Sequence, residues 1–351
     1  MTVYSPLKII HHAEHLQSLR DSRHTAPVRI QLVPTNRCNQ SCRGCAYRMA
    51  GYPSSETFDD QEELSWDKLQ RIICDCVVMG VKAVEITGGG EPTVHPHFND
   101  LCSLIVDSGI DLGVVTNGSI WSPRHAETLA RAHWVRFSID AGTATTYASY
   151  RQVSPVVYRL VRDHVRQLTD MQCHPDSLIG VGYVVNADNW RDVLQAAEYA
   201  KDDGADNFRI SALFQPQGRQ YFETFFGEAR DLCKKAEGLA TDTFTVFNLF
   251  GDRLGDLESG PPTASLCGYS RLTTYLGADS NAYTCCCNAY SAHGLIGSFR
   301  NQSFRRMWEA PTTQEKLLAV DATQCQRCMY NTKNETIAYA IDKNPKHVNF
   351  I

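Results

Sequence analysis

The stretch VRIQLVPTNRCNQSCRGC, residues 28–45, decides the fold, because a short β-rich run ends in a loop that holds three cysteines. The run at 28–33 is rich in β-branched and aliphatic residues and ends at Pro34, which predicts a strand. A second such run at residues 82–92, KAVEITGGGEP, ends in three glycines and a glutamate. Both loops directly follow predicted strands, so we expect them at one edge of one sheet.

Outward from these two segments, strands and helices alternate along the chain. Ser65 and Gly80 mark the start and end of the first helix, and Ser122 with Pro123 starts another. Such alternation predicts a parallel sheet with right-handed crossovers. The run uses about 210 residues where a full eight-unit barrel needs about 250, so we predict an α/β fold with a partial (β/α)6 TIM-like barrel. The predicted strands are 28–33, 82–87, 112–116, 135–139, 178–185 and 207–211.

The alternation stops after Gly251, where the segment GDRLGDLESGPPTASLCG is rich in turn residues. We place a domain boundary there. The predicted parts are an N-terminal helical arm at 1–27, the barrel at 28–250, a small cysteine-rich α+β domain at 251–335 and a C-terminal tail at 336–351.

Composition excludes several classes of protein. The 351 residues include 34 Lys and Arg against 39 Asp and Glu, so no broad basic field is available to follow a nucleic-acid backbone. No stretch holds 18 uninterrupted apolar residues, and the N-terminus lacks the apolar segment of a secretory signal. We therefore expect a cytoplasmic protein without a membrane span. Composition disfavours a nucleic-acid partner and leaves a local basic groove open.

The fourteen cysteines are unusual, because in a reducing compartment closely spaced thiols more often bind metals than form disulfides. Cys38, Cys42 and Cys45 follow the first strand as C-x3-C-x2-C. Three thiolates suit a [4Fe–4S] cluster with one iron open to a substrate or cofactor, or a zinc ion with a fourth protein ligand. The spacing favours the cluster and leaves zinc open. Five scattered cysteines are predicted to be small buried hydrophobic residues: Cys74, Cys76, Cys102, Cys173 and Cys233.

Polar residues gather at the carboxyl ends of the predicted strands. In barrel-like sheets these ends meet on one face, which carries the active site. We therefore expect a single site that combines both loops with these polar side chains. The polar residues at these ends are Glu91 after the second strand, Asn117 after the third, Ser138 and Asp140 at the fourth, and Arg209 in the sixth, and Gly89 and Gly90 precede Glu91 in the loop.

TNRCNQSCRGC, TGGGEP, VVTNG and RFSID occur in this order on successive predicted strands, and together they resemble the radical S-adenosylmethionine (SAM) superfamily over about residues 28–225. The resemblance implies that Cys38, Cys42 and Cys45 hold a [4Fe–4S] cluster whose open iron binds the amino and carboxylate groups of SAM. It further implies that SAM lies near Gly89, Gly90, Glu91, Asn117, Ser138, Asp140, Arg151, Gly182 and Val184.

Within this implied site, Glu91 and the glycines face the methionine amino group, Arg151 faces its carboxylate, and the fifth strand passes the adenine. Instead of contacting SAM, Asn117 could simply form the turn in the sequence TNG, and this alternative stays open. One position departs from the family pattern. Gly44 stands where the family often has an aromatic residue, with Tyr47 two residues beyond Cys45. This departure puts the packing of the adenine in doubt.

Four further cysteines form the pattern C-x17-C…C-x2-C, and the sequence YLGADSNAYTC before the second of them predicts a β-hairpin with its turn at 279–281. A hairpin followed by a closing CxxC resembles the twitch domain, the shortened relative of the SPASM domain. The resemblance implies one auxiliary [4Fe–4S] cluster, with zinc as the alternative. Cys286 and Cys287 leave the choice of the second ligand open. The implied ligands are Cys267, Cys285, Cys325 and Cys328.

The resemblance implies an enzyme that takes one electron from a flavodoxin or ferredoxin type of donor and cleaves SAM to a 5′-deoxyadenosyl radical. That radical abstracts hydrogen from an unactivated carbon. An auxiliary cluster that accepts an electron favours an oxidoreductase acting on a small molecule or a peptide. The alternatives are an isomerase or epimerase acting on a sugar, nucleotide or modified base, and a non-catalytic iron–sulfur electron carrier. No winged leader-peptide domain is found before residue 28, which favours a small molecule, and no catalytic acid or base is assigned.

Overall fold

In the computed structural model, one sheet organises the chain. The structure describes residues 4–171, 174–215, 217–251, 255, 262, 265–326, 328–347 and 349. Within them the sheet has ten strands, in the order β10-β9-β8-β1-β2-β3-β4-β5-β6-β7. The strands are β1 Arg29–Leu32, β2 Ala83–Ile86, β3 Asp111–Thr116, β4 Trp134–Ser138, β5 Leu178–Val185, β6 Asn207–Ala212, β7 Thr245–Asn248, β8 Thr273–Leu276, β9 Asn281–Tyr283 and β10 Leu295–Ser298.

Helices fill the intervals between the strands. The predicted start of helix α2, Trp66–Met79, is confirmed, because the Ser65 hydroxyl accepts from the N–H of Lys68 at 3.4 Å. Gly80 ends that helix with a φ of 75°. Ser122 caps helix α4, Pro123–Leu129, in the same way. The α-helices are α1 Ala13–Arg20, α2 Trp66–Met79, α3 Phe98–Asp107, α4 Pro123–Leu129, α5 Ala144–Arg151, α6 Val156–Thr169, α7 Val193–Asp202, α8 Phe226–Glu237, α9 Tyr269–Leu272, α10 Phe304–Glu309, α11 Pro311–Ala319 and α12 Asn331–Ile341.

The strand order confirms the predicted partial barrel. β1 to β6 are the six predicted strands, and each pairs in parallel with its neighbour in sequence. β7 adds a further parallel strand beside β6, formed by the sequence TVFN. This strand was not predicted, because it is short and partly exposed and therefore carries little hydrophobic pattern. The sheet ends at β7 and at β10, so the barrel stays open.

Successive side chains of each strand point to opposite faces of the sheet. On one face, residues such as Val84, Phe137 and Ile210 pack with the helices in the main hydrophobic core. The alternate residues face the interior of the partial barrel, which we call the lumen. Gln31, Glu85, Arg136, Gly182 and Arg209 are lumen residues by this alternation.

The predicted C-terminal hairpin is present and is part of the barrel sheet. β8 and β9 pair antiparallel, and Ser280 in the turn has a φ of 64°. β8 also pairs in parallel with β1, from Arg29 opposite Thr273 to Leu32 opposite Leu276. The cysteine-rich region is therefore continuous with the strand that leads into the first three cysteines. The boundary at Gly251 stays a prediction, because most of 252–264 lies outside the described residues.

The N-terminal arm and the C-terminal tail pack against each other beside the sheet. α1 contacts α12, and Leu19, Leu272 and Ile337 form a small buried core. None of the described helices is long and apolar enough to cross a membrane.

The scattered cysteines mostly follow the prediction. Cys76, Cys102 and Cys233 are buried. Cys74 is exposed, so its predicted burial was wrong, because it lies off the apolar stripe of α2 that contains Ile72, Ile73 and Cys76. Cys173 lies outside the described residues.

Candidate active site

The cysteine loop, residues 33–45, and the glycine loop, residues 87–91, are joined through their backbones. The N–H of Gly90 donates to the carbonyl of Thr35 at 3.3 Å, and the N–H of Glu91 donates to the carbonyl of Arg37 at 2.9 Å. The parallel pairing of β1 and β2 explains this contact, because it brings the loops that follow both strands to the same edge. The expected convergence of the two loops is confirmed.

The glycines of the second loop allow this close approach. A Cβ atom at Gly90 would lie 2.0 Å from the carbonyl oxygen of Arg37, and one at Gly89 would lie 2.5 Å from Oδ1 of Asn36. Both positions therefore need glycine for contact with the cysteine loop. Their contact with SAM stays a prediction.

Glu91 is a buried carboxylate that joins the glycine loop to the end of β3. Its Oε1 accepts from the hydroxyls of Thr93 and Thr116 at 2.7 and 2.6 Å. Its Oε2 accepts from the N–H of Asn117 at 2.7 Å. Burial raises the pKa of this carboxyl, while the hydrogen bonds oppose the rise. Glu91 thus has an internal bracing role that the sequence did not indicate, and its contact with the amino group of SAM stays a prediction.

Asn117 serves both its own turn and the cysteine loop. Its Oδ1 accepts from the N–H of Ser119 at 2.9 Å, as in an Asx turn. Its Nδ2 donates to Oδ1 of Asn39 at 2.9 Å. The turn alternative is therefore present, together with a contact to the loop that carries the three cysteines.

Arg151, the last residue of α5, joins three other predicted site residues. Its Nη1 donates to Sγ of Cys42 at 3.3 Å. Its Nη2 donates to the carbonyl of Ser138 and to Oδ2 of Asp140, each at 2.6 Å. The Arg151 and Asp140 side chains are only 7% and 9% exposed. This buried pair fixes the cysteine loop against the end of β4, because charge-assisted hydrogen bonds are strong and directional.

Asp140 connects the end of β4 and Arg151 to β5. Its Oδ1 accepts from the N–H of Val184 at 2.7 Å, and its backbone φ of 55° lies in the left-handed region. Burial raises the pKa of the Asp140 carboxyl, and Arg151 opposes the rise. Gly182 lies opposite Ser138 in the register of β4 and β5. The structure thus brings Ser138, Asp140, Gly182 and Val184 together.

The chemistry of Arg151 and of the three nearby cysteines fits the two groups that the family resemblance implies, SAM and a [4Fe–4S] cluster. Nε of Arg151 is buried and has no hydrogen-bond partner among the described residues. That N–H is positioned for an additional acceptor, such as a carboxylate. The adjacent Cys38, Cys42 and Cys45 are free thiols, which suit iron.

Burial raises the pKa of the Cys38 thiol to about 11 and raises that of Cys45. Iron binding must therefore displace their protons. Across the described part of the chain, no three His, Cys, Asp or Glu side chains converge as ligands of a single metal ion. In a [4Fe–4S] cluster each cysteine binds a different iron, so its ligands surround the cluster rather than one point.

The departure at Gly44 has a structural cause. A Cβ atom there would lie 2.2 Å from the hydroxyl oxygen of Tyr150, which fills the space next to the cysteine loop. Tyr47 does not replace the missing aromatic side chain. Its hydroxyl is 2.9 Å from that of Tyr275, and its ring centroid is 5.3 Å from that of Phe58. Tyr150 is thus an aromatic neighbour of the loop that the sequence did not reveal.

A second group of thiols lines a cavity in the C-terminal region. Nδ2 of Asn288 donates to Sγ of Cys325 at 3.4 Å, and Nδ2 of Asn334 lies 3.8 Å from Sγ of Cys328. Burial raises the pKa of Cys325 to about 11 and that of Cys328 to about 12. The cavity has five cysteines in its wall: Cys267, Cys285, Cys287, Cys325 and Cys328. All four cysteines implied by the twitch resemblance therefore meet here, with amide donors that tune sulfur ligands.

Cys285 and Cys287 line this cavity and Cys286 does not, which favours one of these two as the second ligand. Sγ of Cys286 lies 3.1 Å from the hydroxyl of Tyr330. The Tyr330 ring stacks on Tyr269 with centroids 3.8 Å apart, and the Tyr269 hydroxyl accepts from Nη2 of Arg29 at 2.7 Å. These contacts connect the wall of the cavity to the lumen.

Tyrosines also connect the two cysteine regions to each other. The Tyr290 hydroxyl donates to Oδ1 of Asn36 at 2.6 Å. Tyr275, Tyr283 and Tyr290 form a buried core with Val33, at the start of the cysteine loop. Sequence analysis missed this cluster, because its members lie far apart along the chain.

Replacing Gly90 by alanine is expected to lower the thermal midpoint and to reduce SAM cleavage at least tenfold, because the new methyl would collide with the backbone of Arg37. Overpacking of this kind costs about 1–3 kcal/mol. Gly227→Ala is the matched control, since a Cβ in that helix meets nothing within 4 Å. Calorimetry and 5′-deoxyadenosine assays compare the two. Equal behaviour of both variants would contradict the packing argument.

A large part of the chain is similar to a known protein family. A protein-family model described as the Radical SAM superfamily matches residues 32–226. The tungsten-containing aldehyde ferredoxin oxidoreductase cofactor-modifying protein of Pyrococcus furiosus is 28% identical over 190 residues, which cover 52% of this chain and 51% of that protein. The chain thus matches only about half the length of that relative.

Two longer similarities include the cysteine-rich region. Mycofactocin maturase MftC of Mycobacterium ulcerans is 27% identical over 316 residues, covering 86% of this chain and 80% of the relative. The crystal structure of Streptococcus suis SuiB bound to precursor peptide SuiA superposes with a TM-score of 0.61 at 12% identity, covering 90% of this chain and 72% of that one. The latter supports the fold.

Proposed function

The chain belongs to the radical SAM superfamily, and on that premise we propose that it oxidises a small molecule or a peptide at an unactivated carbon. A [4Fe–4S] cluster and SAM are the cofactors of this family. We infer that Cys38, Cys42 and Cys45 hold that cluster. We further infer that Cys267, Cys285, Cys325 and Cys328 hold an auxiliary [4Fe–4S] cluster. When bound, the first cluster and SAM would supply a 5′-deoxyadenosyl radical, which abstracts hydrogen. The auxiliary cluster would supply an acceptor for one electron.

The residues of the first site have separable tasks in this proposal. Arg151 binds the carboxylate of SAM through its unpartnered Nε and orients the loop through Cys42. Asp140 holds Arg151 in place and fixes the backbone of Val184 beside the adenine. Glu91 locks the glycine loop to the end of β3, where Asn117 contacts the cysteine loop.

The cavity lined by five cysteines is the observation that supports an oxidation rather than an isomerisation. It offers enough thiols to occupy every iron of an auxiliary cluster, which leaves no iron open for a substrate. A fully ligated cluster suits electron transfer better than substrate binding. Tyr330 and Tyr269 lie between this cavity and the lumen residue Arg29, so the cavity is in contact with the barrel interior.

The relatives do not identify the substrate of this chain, because their printed names describe different activities. One is a cofactor-modifying protein and another is a maturase, and the first matches this chain over only half its own length. We therefore keep small molecules and peptides together as the substrate class. An external flavodoxin or ferredoxin type of donor supplies the electron for each turnover in this proposal.

The proposal predicts that anaerobically reconstituted protein carries about eight irons, from two four-iron clusters. With dithionite, SAM and a deuterated candidate substrate, it should yield 5′-deoxyadenosine that contains deuterium. The product should be lighter than the substrate by two hydrogen atoms, because the substrate loses one hydrogen atom, one proton and one electron. Mass spectrometry measures both products in one sample.

Three outcomes would contradict parts of this proposal separately. About four irons together with zinc would remove the auxiliary cluster. A product of the same mass as the substrate would favour the isomerase or epimerase alternative. Absence of any 5′-deoxyadenosine in iron-replete protein would leave only an electron carrier.

A further inference from the structure

A buried hydroxyl in the wall of the C-terminal cavity, the cavity lined by five cysteines, lacks an acceptor. Thr284 directly precedes Cys285 and lines the cavity with it, and Thr284 is only 4% exposed. Its Oγ1 is buried and has no hydrogen-bond partner among the described residues. A buried hydroxyl of this kind is costly, since it has given up its hydrogen bonds to water. Its place in this wall therefore indicates that a group bound in the cavity accepts from it.

Two side-chain amides in the same wall donate toward cysteine sulfurs. Nδ2 of Asn288 lies 3.4 Å from Sγ of Cys325, and Nδ2 of Asn334 lies 3.8 Å from Sγ of Cys328. The Asn334 amide is held in this orientation, because its Oδ1 accepts from the N–H of Tyr269 at 2.8 Å. Both asparagines are buried. The wall thus presents N–H donors to the sulfur atoms beside the unpartnered hydroxyl.

The wall offers these polar groups without any ionic side chain. Among the described residues that line the cavity, none is Asp, Glu, Lys, Arg or His. A [4Fe–4S] cluster gains one negative charge when it is reduced, and hydrogen bonds to its sulfurs help to set its reduction potential. Such donors raise the potential because they stabilise the additional charge. Their effect is large in a buried site, where the local dielectric is low.

Resting on the proposed function, we propose that the Thr284 hydroxyl donates to a sulfur of the auxiliary cluster and, together with the amides of Asn288 and Asn334, raises the reduction potential of that cluster. The three side chains act through sulfur rather than on the substrate. Oxidation of the substrate radical passes one electron to the auxiliary site and one proton to solvent. A higher potential at that site favours this transfer over its reverse.

Thr284→Val tests this role, because valine nearly matches the shape of threonine and lacks the hydroxyl. In the anaerobic holoenzyme with SAM, the auxiliary cluster should become about tenfold harder to reduce, a shift of about 59 mV to more negative potential. A tenfold effect is typical of a hydrogen bond to a charged group. Potentiometric titration followed by electron paramagnetic resonance measures the potential. All titrations use one pH, since His293 is exposed and its Nε2 lies 3.6 Å from Sγ of Cys325.

Three further variants separate the hydroxyl from other effects. Thr284→Ser keeps the hydroxyl and should keep the wild-type potential. Asn288→Ala removes a second donor without adding charge, so it should also lower the potential. It carries the test if Thr284→Val fails to fold or loses its iron. Thr336→Val is the matched control, because the Thr336 hydroxyl donates to the carbonyl of Thr332 within α12 and Thr336 does not line the cavity.

Equal potentials in Thr284→Val and Thr336→Val, or in Asn288→Ala and the wild type, would overturn the proposal. The potentials are measured without substrate, so an enzyme that proves to be an isomerase leaves this result intact. A wild-type protein with only one cluster would instead overturn the auxiliary cluster of the proposed function and this inference with it. Iron analysis of each variant distinguishes that outcome from an unchanged potential.

Discussion

Replacing Cys38, Cys42 and Cys45 together by alanine is expected to abolish 5′-deoxyadenosine formation from SAM. These thiols lie in the loop that Arg151 fixes to the end of β4. The iron content should fall from about eight to about four per chain, because one four-iron cluster is lost. Visible absorbance from the C-terminal cluster should remain.

Cys74→Ala serves as the control for this variant, since Cys74 is an exposed thiol on α2. It should retain full iron content and full activity. Persistent SAM cleavage in the triple variant would show that the wrong cysteines have been assigned to the first cluster. Loss of all iron would instead show that the two cysteine regions depend on each other to fold, through the tyrosine core around Val33.

Replacing Cys328 by alanine is expected to eliminate the oxidised product while leaving SAM cleavage measurable. Sγ of Cys328 lies at the wall of the C-terminal cavity, where it accepts from the N–H of Tyr330 at 3.4 Å. Its loss removes a ligand of the auxiliary cluster and with it the acceptor for the second electron. The first site should still cleave SAM, because none of its predicted residues lies in this cavity. Liquid chromatography separates 5′-deoxyadenosine from the oxidised product.

Cys286→Ala is the matched control in the same region, because Cys286 contacts the Tyr330 hydroxyl and does not itself line the cavity. It should retain about eight irons and form oxidised product. Circular dichroism and gel filtration establish that Cys328→Ala remains folded, which matters because cluster binding and folding are linked. A well-folded, cluster-depleted variant that turns over at the wild-type rate would disprove the electron-acceptor role and favour an isomerase.

For some residues the sequence predicted the type of residue needed but not its neighbour in the structure. Gly89 and Gly90 suggested close approach by a ligand, whereas in the structure both lie against the cysteine loop. The sequence suggested that Glu91 binds an amino group of a ligand. In the structure its carboxylate accepts hydrogen bonds from Thr93, Thr116 and Asn117 instead. A sequence pattern identifies that a position needs glycine or a carboxylate, but not which neighbour imposes the need.

The sequence by itself determined the six barrel strands, the helix caps at Ser65 and Ser122, and the two groups of cysteines. These features depend on the spacing of residues within short segments, and local hydrogen bonding and hydrophobic periodicity are encoded there. The family motifs lie in the same segments. For this reason the fold class and the superfamily could be predicted before any contact was known.

Only the tertiary structure decided which distant residues meet. The pairing of β8 with β1, the placement of Tyr150 against Gly44 and the exclusion of Cys286 from the cavity all depend on it. The physical reason is that strand register and helix packing bring together side chains from separate segments, and these contacts are fixed by the packed core as a whole rather than by any single segment.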